Sequence, residues 1–420
     1  MAGNPHRVVA LFLGALVFAL GACGGEDDSG GPGVELNWFV ATQPGGTIQE
    51  VAKRCSEESR GAYTVNVELL PTDASQQREQ LVRRLGAEDS NVDLIGMDVI
   101  WTAEFANAGW LLPWEGADAE EVTDGVFDSV VETATFEDTL YGAPFNSNTQ
   151  LLWYRTDKVD EPPATWDEMI DEAERLDMDV QVQADRYEGF TVWVNAMIES
   201  AGTEILSGPE TVDLAEGPTE DALSIIGRLA NSPAAAPNIS TSNEDSARLG
   251  FEAGDSAFML NYTFAYASAS ANAPKIAQNM GAARFPEVVQ GTPSKPPLGG
   301  FNIAVGAFTE HPDEAFEAAK CLSNAKSQLT ATELDGLPPS NQTLYKDKIV
   351  RKAFPGFADV IEESIANAGP RPLTPAYTDL SLAIQRSLHP PESIDPEDPK
   401  PAYEELRENA EEAVKREGLL

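Results

Sequence analysis

An uncharged polar run, Asn146, Ser147, Asn148, Thr149 and Gln150, opens directly into the apolar Leu151, Leu152, Trp153 and Tyr154. Amides and hydroxyls at the mouth of a strand buried on both faces suit hydrogen bonding to a neutral polar ligand, although the same residue types also build surface turns. Asp98 closes a short strand-like stretch, residues 92–97. A carboxylate there can accept a pair of hydroxyl hydrogen bonds or cap the helix that follows. Tools for catalysis are scarce. The chain has three histidines, His6, His311 and His389, the last two beside prolines and expected at the surface, which leaves little for zinc or Ser-His-Asp chemistry. No G-x-S-x-G, P-loop or post-strand G-x-G-x-x-G pattern occurs. A glycosidase needs only two carboxylates, but 69 acidic residues make chance pairs inevitable and that signal uninformative.

The elements that position these residues follow from pattern. At 420 residues the chain is too long for one ordinary core, and 42% hydrophobic residues suffice for two packed lobes. Residues 34–40 read as a strand, 48–59 as a helix, 63–70 as a strand, 75–85 as a helix and 92–97 as a short buried strand ending at Asp98. That alternation predicts an α/β lobe with a largely parallel sheet, whose ligands sit beyond the carboxyl ends of the strands. The Thr42-Gln43 loop and Asp98 both meet that rule. Gly142 and Pro144 are expected to interrupt any long strand. Thr165 caps a helix over 166–176, and further helices are expected over 189–200, with Trp193 in the core, and over 219–230. Residues 390–401, rich in proline and acid, read as a surface loop. The net charge of −41 repels phosphate backbones and anionic lipid heads, which argues against nucleic acid and membrane surfaces as partners.

The N-terminal segment is a targeting signal. Arg7 precedes an apolar run over 8–20, too short to span a bilayer, and Leu20-Gly21-Ala22-Cys23 resembles the bacterial lipobox. The expected processing is removal of residues 1–22 as signal peptide and lipid attachment to Cys23. Residues 23–33 would then form a flexible tether that holds the chain to the outer face of the cell membrane.

Four blocks carry a family resemblance. They are Y-G-A-P with L-L-W-Y-R and the following Pro-Pro-x-Thr-Trp (residues 141–166), V-D-L-I-G-M-D with A-G-W-L-L-P-W (92–114), Phe251, Gly254, Ala257 and Met259 ahead of Asn261-Tyr262, and G-P-R-P-L-T-P-A-Y (369–377). In their order they resemble the extracellular sugar-binding proteins of ABC transporters, and within that family the actinobacterial trehalose-binding lipoproteins. The resemblance covers most of residues 34–390 and favours a binding protein over an enzyme, with no cofactor and no metal. It implies a two-lobe fold of the periplasmic-binding-protein kind (type II), each lobe a mainly parallel sheet flanked by helices and joined by hinge crossings. The lobes would be residues 34–145 with 302–347, and 146–301 with 348–420.

The resemblance further implies sugar contacts from Asp98, Asn148, Glu244 and Arg371, stacking by Tyr262, and close backbone approach at Gly299 and Gly300. Glu244 and Arg371 have plainer alternatives, as a helix-end acid and as a salt-bridge partner. Tyr262 stands where the trehalose binders carry Trp, and Gln43-Pro44 where they carry an acid, so the sugar is expected to be an α-glucoside disaccharide, trehalose first and maltose-type second. With Cys23 removed, Cys55 and Cys321 are an even pair in an exported chain and suggest a disulfide; the resemblance puts both on helices of the first lobe. The expected partners are a disaccharide and the ABC permease and ATPase, with the lipid as the only membrane attachment and the chain a monomer.

Overall fold

In the computed structural model, residues 33–71 and 74–415 are described. The expected signal peptide, Cys23 and the tether as far as residue 32 lie outside the described residues. The strands that matter are, in chain order, β1 (Val34–Ala41), β2 (Tyr63–Leu70), β3 (Leu94–Asp98), β4 (Gly142–Thr149), β5 (Leu151–Arg155), β6 (Asp179–Gln181), β7 (Ser256–Asn261), β8 (Met280–Ala283), β9 (Pro297–Val305) and β10 (Gly369–Pro370). The helices are α1 (Thr47–Glu58), α2 (Ala74–Leu85), α3 (Trp166–Leu176), α4 (Glu188–Ser200), α5 (Glu216–Asn231), α6 (Glu244–Ala253), α7 (Pro312–Ser323), α8 (Tyr377–Leu388) and α9 (Lys400–Lys415). No described helix is long and apolar enough to cross a membrane.

In the first sheet β1 pairs in parallel with β2 and β3, the strands being joined by α1 and α2. Leu36, Trp38, Val40 and Leu94 enter one apolar layer, and Phe39, Ile95 and Met97 the other, as alternation along a pleated strand requires. β9 runs antiparallel between β3 and β4, and β10 lies parallel to its first residues. The break expected at Gly142 and Pro144 is not there, because β4 runs through both. Proline has no N–H for the ladder, and the register absorbs it as a bulge in which Phe301 faces Asn146 and Asn302 faces Pro144.

The second sheet has the order β8-β5-β7-β6. It departs from the mainly parallel expectation: β5 is antiparallel to β7 and β8, and only β6 and β7 run together. β5 brings the chain into this lobe and β8 precedes its exit, so neighbours of opposite direction follow. Both faces are covered. Leu152, Phe258 and Leu260 join a core with α3, α4, α5, α8 and α9, while Leu151, Trp153 and Met259 pack on Tyr345, Phe357 and Ile361.

Local signals set the helix ends. Thr165 and Glu168 form a capping box at α3, and Gly254 ends α6 with φ 97°. Cys55 on α1 and Cys321 on α7 are joined in a disulfide with Cα atoms 5.8 Å apart. By chain entropy, a link across 266 residues is worth about 5 kcal/mol. The stretch 390–401 is not all surface loop. Pro391 and Ile394 are buried, and the Ile394 carbonyl packs so near Gly227 of α5 that a Cβ there would come within 2.5 Å. His389 is likewise half-buried, bonded to the Ser240 carbonyl at 3.0 Å and edge-on to Phe190.

Candidate functional site

Strand register gathers the polar residues of the first lobe. Asp98, the last residue of β3, faces Phe301 of β9, and two residues earlier Gly299 faces Asn148 of β4. The first residues of β9 pair with Gly369 and Pro370, so Arg371 emerges beside them. A Cβ built on Gly299 would stand 3.6 Å from that of Asn148 and 3.9 Å from Arg371 Nη2. Asp98 ends its strand by capping the turn Val99–Trp101, accepting from the Ile100 N–H at 3.1 Å. The same Oδ1 lies 3.6 Å from Arg371 Nη2, so capping and site contact coexist in one carboxylate.

The second lobe meets this group through α4. Arg371 Nη1 donates to Glu188 Oε1 at 2.8 Å. The Tyr377 hydroxyl donates to the same oxygen, and Ser381 Oγ donates to Glu188 Oε2 at 2.7 Å. Tyr377 and Ser381 stand one turn apart on α8, and the Arg371 guanidinium lies 5.9 Å from the Tyr377 ring centroid. Arg371 therefore ties Asp98 of one lobe to Glu188 of the other. Its side chain is 8% exposed, and its Nε has no acceptor among the described residues.

Glu244 and Tyr262 close the group. Tyr187, just before α4, donates to Glu244 Oε2 at 2.7 Å. The fully buried Asn261, at the end of β7, donates to the Glu244 carbonyl at 2.9 Å and accepts from the Tyr262 N–H at 2.9 Å. That amide fixes both the start of α6 and the direction of the chain at Tyr262.

Burial pushes the Asp98 carboxyl up, and Glu188 adds to this, while Arg371 and the Ile100 N–H oppose it without cancelling it. For Arg371, burial works against the charge, but Tyr377, Asp98, Glu188 and Tyr262 outweigh it and hold the guanidinium protonated. Tyr262 is raised by burial and then by Glu244, with Glu188 and Asp98 adding and Arg371 opposing. It is a neutral hydroxyl near pH 7, able to donate and accept. Carboxylates, a planar cation and a neutral phenol are a set for hydrogen-bonding a polyhydroxylated ligand. Among the described residues no group of three or more His, Cys, Asp or Glu side chains could hold a metal ion.

The sequence-predicted residues Asp98, Arg371, Glu244 and Tyr262 thus share one electrostatic neighbourhood, with Asn148 beside them across Gly299. Two others are placed differently. Gln43 lines a small apolar hollow with Trp38, Ile48, Phe145 and Phe301. Gly300 has φ 136°, and a Cβ there would come 2.1 Å from the Asn146 carbonyl, so the close backbone approach is made by β4. Gly299 is the glycine beside the cluster. Most of the polar run is strand interior: Asn146, Ser147, Thr149 and Gln150 are buried, and Gln150 donates to Gln183 at 2.8 Å. Sequence reasoning missed Glu188, Tyr187, Tyr377 and Ser381. A glutamate in a first helical turn is commonplace, which hid Glu188. Tyr377 ends the same block as Arg371, six residues on, and that spacing was the available signal.

A family model for bacterial extracellular solute-binding proteins matches residues 41–329. A probable ABC transporter-binding protein of Deinococcus radiodurans is 30% identical over 353 residues, 78% of this chain and 81% of its own length. Among solved structures, the maltose-bound MalE3 of T. maritima is similar with a TM-score of 0.76 at 24% identity, over 89% of this chain and 98% of that one. The GacH receptor of Streptomyces glaucescens, solved unliganded and with acarbose, is similar with a TM-score of 0.77 at 20% identity, over 92% and 100%. The MalE protein of Xanthomonas citri gives 0.79 at 17%, over 91% and 98%. At these identities the solved structures speak for the fold.

Proposed function

The chain belongs to the bacterial extracellular solute-binding protein family, and on that premise we propose that it captures an α-glucoside disaccharide between its lobes and delivers it to an ABC permease. Trehalose is the first choice and a maltose-type sugar the second. The observation that carries the reading is Arg371, which touches Asp98 and Glu188 from opposite lobes and keeps a buried Nε–H without an acceptor among the described residues. A ligand whose hydroxyls reach both lobes stabilises the closed arrangement, and the population shifts towards it. The neighbours bound to maltose and to acarbose support a glucoside. Trehalose rests on the sequence blocks alone, with Tyr262 a smaller stacking platform than Trp.

Export, the lipid on Cys23, a monomeric state and partnership with a permease and its ATPase belong to the same proposal. The leader sequence supports export and the lipid, and the ABC transporter-binding relative supports the permease partnership. The lobe boundaries stay part of the proposal, residues 34–145 with 302–347 and 146–301 with 348–420, with one adjustment. Strand pairing supports moving the crossings to residues 150 and 296, since β4 and β9 lie along the first sheet.

Isothermal titration of residues 24–420 with trehalose, maltose, sucrose and glucose, with product analysis of each mixture, tests the reading. Saturable micromolar binding of one disaccharide without turnover is expected. Cleavage would point to a glycosidase, and silence across the panel to another solute.

A further inference from the structure

Helix α4 carries two acids at opposite ends, and the mechanism above uses only one. Glu199, in the last turn, has a side chain 8% exposed. It packs on the backbone of Gly369 so tightly that a Cβ there would overlap its carboxylate. It forms a wall of a cavity of about 670 Å³ that lies on α4 two to three turns beyond Glu188. Residues of both lobes and the crossing line this cavity: Glu132 and Phe136 from the first, Glu199, Glu204 and Leu206 from the second, and Pro370 between them. Its volume is in the range of small-molecule sites.

Arg371 also lines the cavity, but its guanidinium is taken by Asp98 and Glu188, and the remaining charges do not balance. Glu132 and Glu204 are exposed, line the same cavity and act on Glu199 as like charges. Lys295 reaches only to 3.9 Å of Glu199 Oε2, with its own side chain 56% exposed. The carbonyl end of α4 adds partial negative charge in the same place. Burial raises the Glu199 carboxyl to about 7, with Lys295 and the Asn195 amide opposing and Glu132 and Glu204 adding. Asn195 supplies an independent sign of a missing partner. It is 1% exposed and lines the cavity; its Nδ2 donates to Glu199 at 3.1 Å, and its Oδ1 has no donor among the described residues. A metal ion is a poor fit, because no metal-holding group of side chains occurs among the described residues. Phe136, Leu206 and the proline offer apolar surface to a carbon chain instead.

We propose that this cavity is a second binding site, for a small organic molecule that carries a primary ammonium group on a short carbon chain. The ammonium would bond Glu199 and the Asn195 Oδ1, and the chain would lie on the apolar wall. Because both lobes contribute, occupancy would couple to their relative position.

The test is calorimetry of the purified protein with 1,4-diaminobutane at pH 8, against butane-1,4-diol and against sodium chloride of equal ionic strength. It needs no sugar, so it stands or fails apart from the function proposed above. Saturable one-to-one binding of the diamine alone is expected, weakened at least tenfold in Glu199→Gln and weakened at pH 6, where Glu199 takes up a proton. If Glu199→Gln does not fold, the doubly substituted Glu132→Gln, Glu204→Gln protein should still bind several-fold more weakly. A response no larger than that to sodium chloride, or equal affinity in the variants, overturns the proposal.

Discussion

On one side of the segment from Gly369 to Arg371, an arginine lies between Asp98 and Glu188, and Tyr377 and Ser381 complete the hydrogen bonds of that glutamate. On the other side Glu199 presses against Gly369 with one amide donor and a distant lysine. One helix supplies both acids. Glu188 stands in its first turn, where the exposed N–H groups favour an anion, and Glu199 in its last, where the carbonyl end opposes one. The front of the crossing is thus a satisfied network with one donor to spare, suited to a neutral ligand. The back holds uncompensated negative charge, suited to a proton or a cation. Residue type does not separate the two sites; position along α4 and the company of Arg371 do.

The sharpest way to break this comparison is to remove the arginine. Arg371→Ala should weaken sugar binding by 100-fold or more, since it deletes a buried charge-assisted contact worth about 3 kcal/mol. The unliganded melt should fall far less, because Glu188 keeps Tyr377 and Ser381, and calorimetry beside thermal unfolding checks both. An equal loss of fold and affinity would make Arg371 structural.

The largest effect at the back concerns stability and pH. Burial raises the Glu199 carboxyl to about 7 in the folded chain, so between the ordinary carboxylate range and pH 7 the folded state keeps a proton that the unfolded chain has shed. Stability from this group is therefore present at low pH and lost as pH rises through about 7. The loss amounts to about 3 kcal/mol. Glu199→Gln should flatten that slope in urea melts between pH 5 and 8 and change sugar affinity by no more than about twofold.

Smaller effects separate touching the ligand from holding Arg371. Glu188→Gln keeps one oxygen to accept from Arg371 and Tyr377, but it loses the acceptor for Ser381 and the charge that orients the guanidinium, and about a tenfold loss of sugar affinity is expected by titration. Tyr377→Phe removes one of several donors to Glu188 and should cost about 1 kcal/mol of binding, a fivefold change.

The front was more legible in the sequence than the back, for a physical reason. Asp98 closes an apolar strand and Arg371 sits in a proline-punctuated block, so each carries its context along the chain. The surroundings of Glu199 (Glu132, Lys295 and Gly369) come from distant segments, and only the folded crossing brings them together. Backbone signals were read in the right place with the wrong partner: Gly300 does mark a close approach, but β4 makes it. Pro144 marks a bulge and not a strand end, because β9 could shift register around it.

The most direct test of the account is a crystal structure of the protein with the disaccharide that titration identifies. The account predicts sugar hydroxyls within hydrogen-bonding distance of Asp98 and of Arg371 Nε, with Tyr262 against a ring face and no sugar beside Glu199. A sugar bound away from Arg371, or lodged behind the crossing in the Glu199 cavity, would contradict it.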